Sequence, residues 1–224
     1  MIPARQGSKR IPGKNIKDFL GKPIITYPIE TAKESGIFDD IVVYTDDNSL
    51  QDIAKIKDIR VTVWANRPWV SDNETLTETA LGFIINYKET FKQDIDYLCI
   101  LLPTGVFVYG YMLGESLHEL TDHSYNCIIS LCKYNHPIQR AFRINEFNEL
   151  EMIQPEYIFN RTQDCEKNYY DAGQFYFFNV KSFLNNKKIF MNNSHPYILD
   201  AVDIDNPEDW KKAEMFYKVQ MGLI

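Results

Sequence analysis

Short apolar runs alternate along the chain with longer stretches that carry one apolar face. Residues 40–45 and 97–102 are β-branched or aliphatic runs of the kind found in buried strands. Residues 74–92 instead repeat apolar side chains at helical spacing. The same reasoning predicts further strands at 60–64, 126–131 and 176–180 and further helices at 23–35, 48–57, 109–122 and 209–219.

This alternation of strands and helices predicts an α/β fold with a doubly wound, mostly parallel sheet. We expect a single domain over residues 1–224. The alternation fails over residues 136–170, which are polar and only weakly periodic, so an inserted arm or hairpin is predicted there. Ligands of such sheets bind at the carboxyl ends of the strands. The segment after the first strand, Thr45–Asp47 and Pro103–Thr104 should all lie at that edge.

Charge and composition narrow the class of protein. The chain has 224 residues and a net charge of −7, which disfavours nucleic acid as a partner. Its apolar runs are too short for a membrane span, and it begins with no secretory signal pattern. The four cysteines include no C-x-x-C pair and read as reduced thiols. We therefore expect a cytoplasmic protein that acts on small molecules, without a membrane or nucleic-acid partner.

The first fifteen residues concentrate positive charge in this acidic chain. We call Arg5 to Asn15 the opening loop. Its glycines allow backbone N–H groups to turn toward a ligand, and its four Lys and Arg residues suit a polyanion. The spacing from Gly7 to Gly13 is one residue too long for a Walker A loop, and Asn15 stands where that loop has Ser or Thr. The loop is therefore predicted to bind phosphates in another way, the alternative being a basic surface loop.

Two carboxylates near the end of the chain are candidate metal ligands. In extended backbone, Asp203 and Asp205 point to the same side, with Ile204 on the other. Paired oxygen ligands without nearby His or Cys suit Mg²⁺. A surface Asp pair before a turn is the alternative, and Asp46–Asp47 is a second, weaker metal candidate.

A third group of segments combines Arg, Gln and Tyr side chains, which bind carboxylates and sugar hydroxyls. The small residues Ala172 and Gly173 would let a ligand approach the backbone. An aromatic strand edge packed on the arm is the alternative interpretation. These segments are His136–Arg140, Arg161–Gln163 and Tyr169–Tyr176.

Together these motifs resemble the CMP-sialic acid synthetase family, cytidylyltransferases that activate nonulosonic acids. The resemblance rests on Ile2–Asn15, Val43–Asp47, Asn66–Asp72 and Asp203–Asp205, and it covers nearly the whole chain. Pro137–Ala141, Arg161–Asp164 and Tyr170–Tyr176 are most similar to the branch that activates pseudaminic acid. Leu102 stands where the sialic acid branch usually has Gln, which agrees with the pseudaminic interpretation.

The resemblance implies a Rossmann-like nucleotidyltransferase fold and the transfer of CMP from CTP to a nine-carbon sugar acid. It also implies a homodimer assembled through the arm at 136–170. Two alternatives stay open: another nonulosonic acid (sialic, legionaminic or deoxy-octulosonic acid), and a catalytically weak nucleotide-binding module. The implied roles are catalysis by Arg5, Lys9 and Lys14; CTP binding by Ala4, Gly7, Ser8, Asn15 and Arg67; sugar binding by Thr104, Gln139, Arg161, Gln163, Gln174 and Tyr176; and Mg²⁺ binding by Asp203 and Asp205.

Overall fold

The structure is a computed structural model that describes residues 1–5, 7–47, 50, 61–64 and 74–224. Except for Leu50, the helix predicted at 48–57 lies outside these residues, as does Arg67 with its neighbours at 66–72. The strands are β1 (Ile2–Ala4), β2 (Asp18–Phe19), β3 (Lys22–Pro23), β4 (Ile41–Thr45), β5 (Val61–Trp64), β6 (Tyr97–Leu101), β7 (Cys127–Lys133), β8 (Phe142–Ile144), β9 (Leu150–Met152), β10 (Tyr169–Asn179) and β11 (Ser194–Ile198). The helices are α1 (Thr26–Ser35), α2 (Leu76–Phe91), α3 (Gly110–Asp122), α4 (Val180–Asn186) and α5 (Pro207–Gln220).

The central sheet has the predicted mostly parallel arrangement. Strands β1, β4 and β5 pair in parallel in the order β1-β4-β5, and a second group follows the order β11-β7-β10-β6. The Leu101 N–H donates to the Met1 carbonyl at 3.0 Å, which brings β6 alongside β1. Within the second group β11 is parallel to β7, whereas β10 is antiparallel to both of its neighbours.

Both faces of this sheet are covered by helices, so the doubly wound prediction is confirmed. Val43 of β4 packs in one buried cluster with α1 and α3, while Val42 and Tyr44 pack in another with α2 and α4. This alternation follows from the two-residue period of a strand. A third cluster joins α5 to Phe19, Phe107 and other residues below the opening loop.

The ends of the helices follow from local sequence. Helix α1 begins at Thr26, later than predicted, so Pro28 lies in the first turn, where its missing N–H has no helical partner to lose. Thr75 and Glu78 form a reciprocal capping box at the start of α2. None of the helices within the described ranges is both long and apolar enough to cross a membrane.

Several elements differ from the prediction. Helix α4 and the short β2–β3 pair were not predicted, and two longer strands differ as well. Strand β10 begins at Tyr169, seven residues before the predicted start at 176. Strand β11 was not predicted at all; its Pro196 disfavours a strand interior, but a place at the edge of the sheet next to β7 tolerates it.

The segment 136–170 forms a small β8–β9 hairpin with short 3-10 turns before and after it. Its large apolar side chains are unusually exposed: Phe147 is 74% exposed and Phe159 is 94% exposed. Within the described residues, little of the chain packs over these two side chains. Such a patch marks an interaction surface.

Candidate active site

A cleft of about 390 Å³ opens where β1 and β6 end, and the opening loop forms one wall of it. The other wall is the segment that follows β6, including Thr104, and Asp205 closes the cleft from the C-terminal part of the chain. The predicted residues that line it are Arg5, Ser8, Lys9, Lys14, Asn15, Thr104 and Asp205. The structure thus brings together side chains from three distant parts of the sequence.

The opening loop is held in place by buried anchors. Ile11 is 2% exposed and packs in the third hydrophobic cluster. Gly13 adopts a left-handed conformation and starts the short 3-10 turn Lys14–Ile16. The buried Asn15 side chain donates from Nδ2 to the Arg5 carbonyl oxygen at 3.0 Å, which closes the loop on itself. Asn15 therefore shapes the loop from within, in addition to lining the cleft.

The Asp203–Asp205 pair meets this loop directly. Ile204 is 1% exposed and packs in the third cluster, so the two carboxylates on either side of it point away from the core, as predicted. The Lys14 Nζ donates to the Ile204 carbonyl oxygen at 2.9 Å, and Arg10 forms an ion pair with Asp205 at 2.8 Å. The cationic loop and the acidic pair consequently belong to one site.

The charges of this site are only partly compensated. Burial lowers the pKa of the Lys14 ammonium, and the carboxylates of Asp205 and Asp203 act in the opposite direction. Burial and the like charge of Asp205 raise the pKa of the Asp203 carboxyl, although Lys14 opposes this. Asp203 is therefore a carboxylate that a further positive charge would stabilise.

Gly173 of β10 lies directly against Asp203, and Asp171 bonds to both Gly173 and Tyr176 on the same strand. Gly173 has φ +60°, and a Cβ atom there would lie 3.0 Å from Asp203 Oδ1. Asp171 accepts hydrogen bonds from the Gly173 N–H at 3.0 Å and from the Tyr176 hydroxyl at 2.6 Å. Burial and this hydrogen bond raise the pKa of Tyr176, which keeps the hydroxyl a donor. The space above Gly173 is thus taken by Asp203, whereas the sequence predicted a ligand there.

Asp171 has a place in this site that the sequence reasoning missed. Its signal was a single carboxylate within an aromatic strand run, which carries little information before the fold is known. Arg10 was recognised as part of the loop but not as the ion-pair partner of Asp205.

Several predicted contact residues lie elsewhere. Ala4 is buried in β1 and paired with Thr45, and Gly7 is exposed on the loop. Gln174 is fully buried, and its amide bonds to backbone groups, so the predicted direct sugar contact is not what the structure shows. Gln139 is 5% exposed and donates to the Glu166 carbonyl oxygen at 3.2 Å.

Arg161 and Gln163 lie on the exposed surface of the arm. The Arg161 guanidinium pairs with Asp164, with Nε 2.7 Å from Oδ2 and Nη2 3.2 Å from Oδ1. Neither residue is among those that line the cleft of the same chain. Arg161 and Gln163 are therefore accessible to a molecule that binds the arm.

The donor set of the site fits a hard divalent cation. Asp203 and Asp205 supply oxygen ligands, and no group of three or more His, Cys, Asp or Glu side chains arranged to hold a metal occurs among the described residues. A cation at this pair would complete its shell with water and ligand oxygens, which is the usual habit of Mg²⁺.

Comparison with known proteins agrees with this geometry. The sequence profile of the family described as Cytidylyltransferase matches residues 1–221. The chain belongs to this cytidylyltransferase family, and it is accordingly a nucleotidyltransferase.

Its relatives confirm the resemblance seen in the motifs. The chain is 36% identical to a pseudaminic acid cytidylyltransferase of Campylobacter jejuni, over 98% of this chain and 95% of the relative. It is 28% identical to the CMP-N,N'-diacetyllegionaminic acid synthase of Legionella pneumophila, over 100% and 97%. The solved structure of a CMP:2-keto-3-deoxy-manno-octonic acid synthetase complexed with CTP shares the fold, with a TM-score of 0.67, 16% identity and coverage of 98% and 97%.

Proposed function

We propose that the protein joins CMP from CTP to pseudaminic acid, giving CMP-pseudaminic acid and pyrophosphate. The observation that carries the proposal is the meeting of the cationic opening loop with the Asp203–Asp205 pair: Asp205 lines the cleft and pairs with Arg10, and Lys14 bonds to the Ile204 carbonyl oxygen between the two carboxylates. The choice of sugar acid is supported by the Campylobacter relative and by the absence of the Gln that precedes Pro103 in the sialic acid branch.

In this reaction the anomeric hydroxyl oxygen of the sugar acid attacks the α-phosphorus of CTP, and the bond from that phosphorus to the pyrophosphate oxygen breaks. Arg5, Lys9 and Lys14 line the cleft where the triphosphate would lie, and their charges would stabilise the leaving pyrophosphate. Ser8, Thr104 and Asn15 border the same cleft. The protein contributes mainly position and charge, because phosphoryl transfer needs little covalent help.

Asp203 and Asp205 would hold Mg²⁺, which when bound supplies charge neutralisation at the phosphate oxygens. The raised pKa of Asp203 fits this role, since a carboxylate that lacks compensation binds a cation readily. Arg10 forms an ion pair with Asp205 in this structure. When Mg²⁺ binds, Arg10 would release Asp205 or share it with the cation.

We further propose a homodimer built on the arm. Exposed apolar residues of the β8–β9 hairpin, such as Ile144 and Leu150 at 71% exposure each, would be buried against a second copy. Arg161 and Gln163 do not line the cleft of their own chain, so their sugar-binding role would be exerted in the cleft of the partner. The reaction would take place in the cytoplasm, where CTP is available.

The proposal is tested by pyrophosphate release from CTP and Mg²⁺ with pseudaminic, legionaminic, sialic and deoxy-octulosonic acids in turn, with the CMP-sugar identified by mass spectrometry. Pseudaminic acid should give the highest kcat/KM. A higher value with another acid would replace the substrate and keep the reaction. CTP binding without turnover on any of the acids would favour the nucleotide-binding module instead.

The metal role is tested with Asp203→Asn, which keeps the shape of the side chain and removes its charge. Mg²⁺-dependent turnover should be lost while the fold persists. Asp200→Asn, an exposed carboxylate three residues earlier, is the matched control and should behave as wild type. Unchanged Mg²⁺ dependence in Asp203→Asn would move the metal role to Asp46 or Asp47.

A further inference from the structure

Strand β10 contains a wide bulge beside the cleft. Its pairing with β7 matches Asp171 to Leu131 and then Tyr176 to Ile129. On the β7 side, residues 172–175 therefore lie opposite a single residue, Ser130. We call residues 172–175 the bulge. Bulges of this kind occur next to active sites, where they re-aim neighbouring groups.

Gln174 holds the bulge from inside. Its side chain is fully buried, and Nε2 donates to the carbonyl oxygens of Ala172 at 3.1 Å and Gly173 at 3.2 Å. The Ser130 hydroxyl oxygen accepts from the Phe175 N–H at 2.9 Å on the other side. The amide of Gln174 thus satisfies two carbonyl groups that the bulge removes from the sheet ladder.

The same residue also holds the far wall of the cleft. We call Leu102–Phe107 the cleft loop. The Leu102 N–H donates to the Gln174 carbonyl oxygen at 2.9 Å, and the Phe107 N–H donates to Gln174 Oε1 at 3.4 Å. A Cβ atom on Gly105 would lie 3.2 Å from the Gln174 carbonyl oxygen, so the loop and the bulge are in close contact.

We propose that Gln174 is a positioning residue that fixes the distance between the two halves of the active site. One half is the cleft loop, whose Thr104 lines the cleft; the other is Gly173, against which Asp203 packs. The buried amide of Gln174 bonds to both halves, so its loss leaves them joined at this residue only by the main-chain hydrogen bond from Leu102, and their relative position is fixed less tightly. The inference rests on the proposed function, because it assigns a role within that reaction.

The physical consequence is a selective loss. CTP should still bind, because the opening loop is held by its own anchors, Ile11 and Asn15. The transfer step needs both halves in register, and a misplacement of about 1 Å can cost about 100-fold in rate. If Gln174 had only a structural role, its loss would lower stability or the active fraction without separating CTP binding from the transfer step.

The test is Gln174→Met, which conserves length and volume and removes the three side-chain hydrogen bonds. The matched control is Asn126→Leu, which removes two amide hydrogen bonds, to Asn192 and Ser182, at the opposite end of the sheet. For both variants we would measure the thermal midpoint, CTP affinity and stoichiometry by calorimetry, kcat, and the Mg²⁺ concentration for half-maximal turnover.

At saturating Mg²⁺, Gln174→Met should bind one CTP per chain with nearly unchanged affinity, while kcat falls about 100-fold and the Mg²⁺ concentration required for half-maximal turnover rises. Asn126→Leu should lose stability only. Wild-type kcat per CTP site in Gln174→Met, or an equal loss of kcat in Asn126→Leu, would overturn the proposal. If Gln174→Met does not fold, Ser130→Ala removes the opposite anchor of the bulge and should show the same split to a smaller degree; wild-type kcat there would overturn it.

The wild-type protein separates this inference from the proposed function. If it binds CTP but transfers CMP to none of the acids, the proposed reaction is wrong. The positioning role is then decided by CTP binding titrated with Mg²⁺, where Gln174→Met should need about 10-fold more Mg²⁺. An unchanged midpoint would reject the positioning role as well.

Discussion

Gly173→Ala perturbs the site through a single methyl group. Gly173 has φ +60°, a conformation that costs a residue with a Cβ atom about 1 kcal/mol. The added Cβ would also lie 3.0 Å from Asp203 Oδ1 and 3.1 Å from its Cγ. Ordinary contacts of a Cβ atom begin near 3.4 Å, so the carboxylate must shift by a few tenths of an ångström. The substitution therefore combines backbone strain with a displaced metal-ligand candidate.

Gly36→Ala is the matched control for the strain. Gly36 ends α1 with φ +67°, and no atom lies within 4 Å of its Cβ position. Both variants should lose about 1 kcal/mol of unfolding free energy, measured by urea denaturation. Only Gly173→Ala should lose kcat, by about 10-fold, because its displacement of Asp203 is a fraction of the misplacement of about 1 Å that can cost about 100-fold.

The assay is steady-state pyrophosphate release at saturating CTP and a range of Mg²⁺ concentrations. Equal kcat in the two variants would show that the position of Asp203 against Gly173 has no part in the reaction. A larger stability loss in Gly173→Ala with unchanged kcat would lead to the same conclusion, since the clash would then have been relieved without consequence for turnover.

Arg5→Ala should cost about 3 kcal/mol of transition-state stabilisation, seen as a fall in kcat/KM; an unchanged value would remove Arg5 from the mechanism. Phe159→Asp should shift the sedimentation of the protein toward the monomer, since Phe159 is 94% exposed on the arm. Burial raises the pKa of the Cys99 and Cys127 thiols to about 12, so iodoacetamide near pH 8 should label Cys165 first, as peptide mass spectrometry would show. The unfolded chain gives up these two protons above about pH 9 while the folded chain keeps them, so the unfolding free energy should fall as pH rises from about 9 to 12.

Local patterns were enough for most of the elements and for the candidate residues of the opening loop and the acidic pair. The strand and helix periods, the cations of the opening loop and the Asp203–Asp205 alternation all lie within short windows of sequence. Successive side chains of extended backbone point to opposite sides. The burial of Ile204 and the opposite direction of its two neighbours therefore follow from adjacent residues alone. The Lys14 contact with Ile204, by contrast, joins residues 190 positions apart.

Errors arose where long-range packing decides the role of a residue. Gln174 was predicted to contact the sugar, because a side-chain amide suits a polar ligand. Its amide instead forms hydrogen bonds with backbone groups of the bulge and the cleft loop. Strand β11 was missed because, among the strands of the described residues, it pairs with β7 alone, more than sixty residues earlier in the chain.

The sequence by itself determined the α/β class, the concentration of cations in the opening loop, the acidic pair and, through its motifs, the family. The tertiary structure alone decided that the loop and the acidic pair meet, that Gly173 makes room for Asp203, and that Arg161 and Gln163 lie on the exposed surface of the arm, outside the lining of the cleft. The reason is physical: propensity and periodicity act over one or two turns of chain, whereas a site is assembled from side chains that only the packing of the sheet brings together.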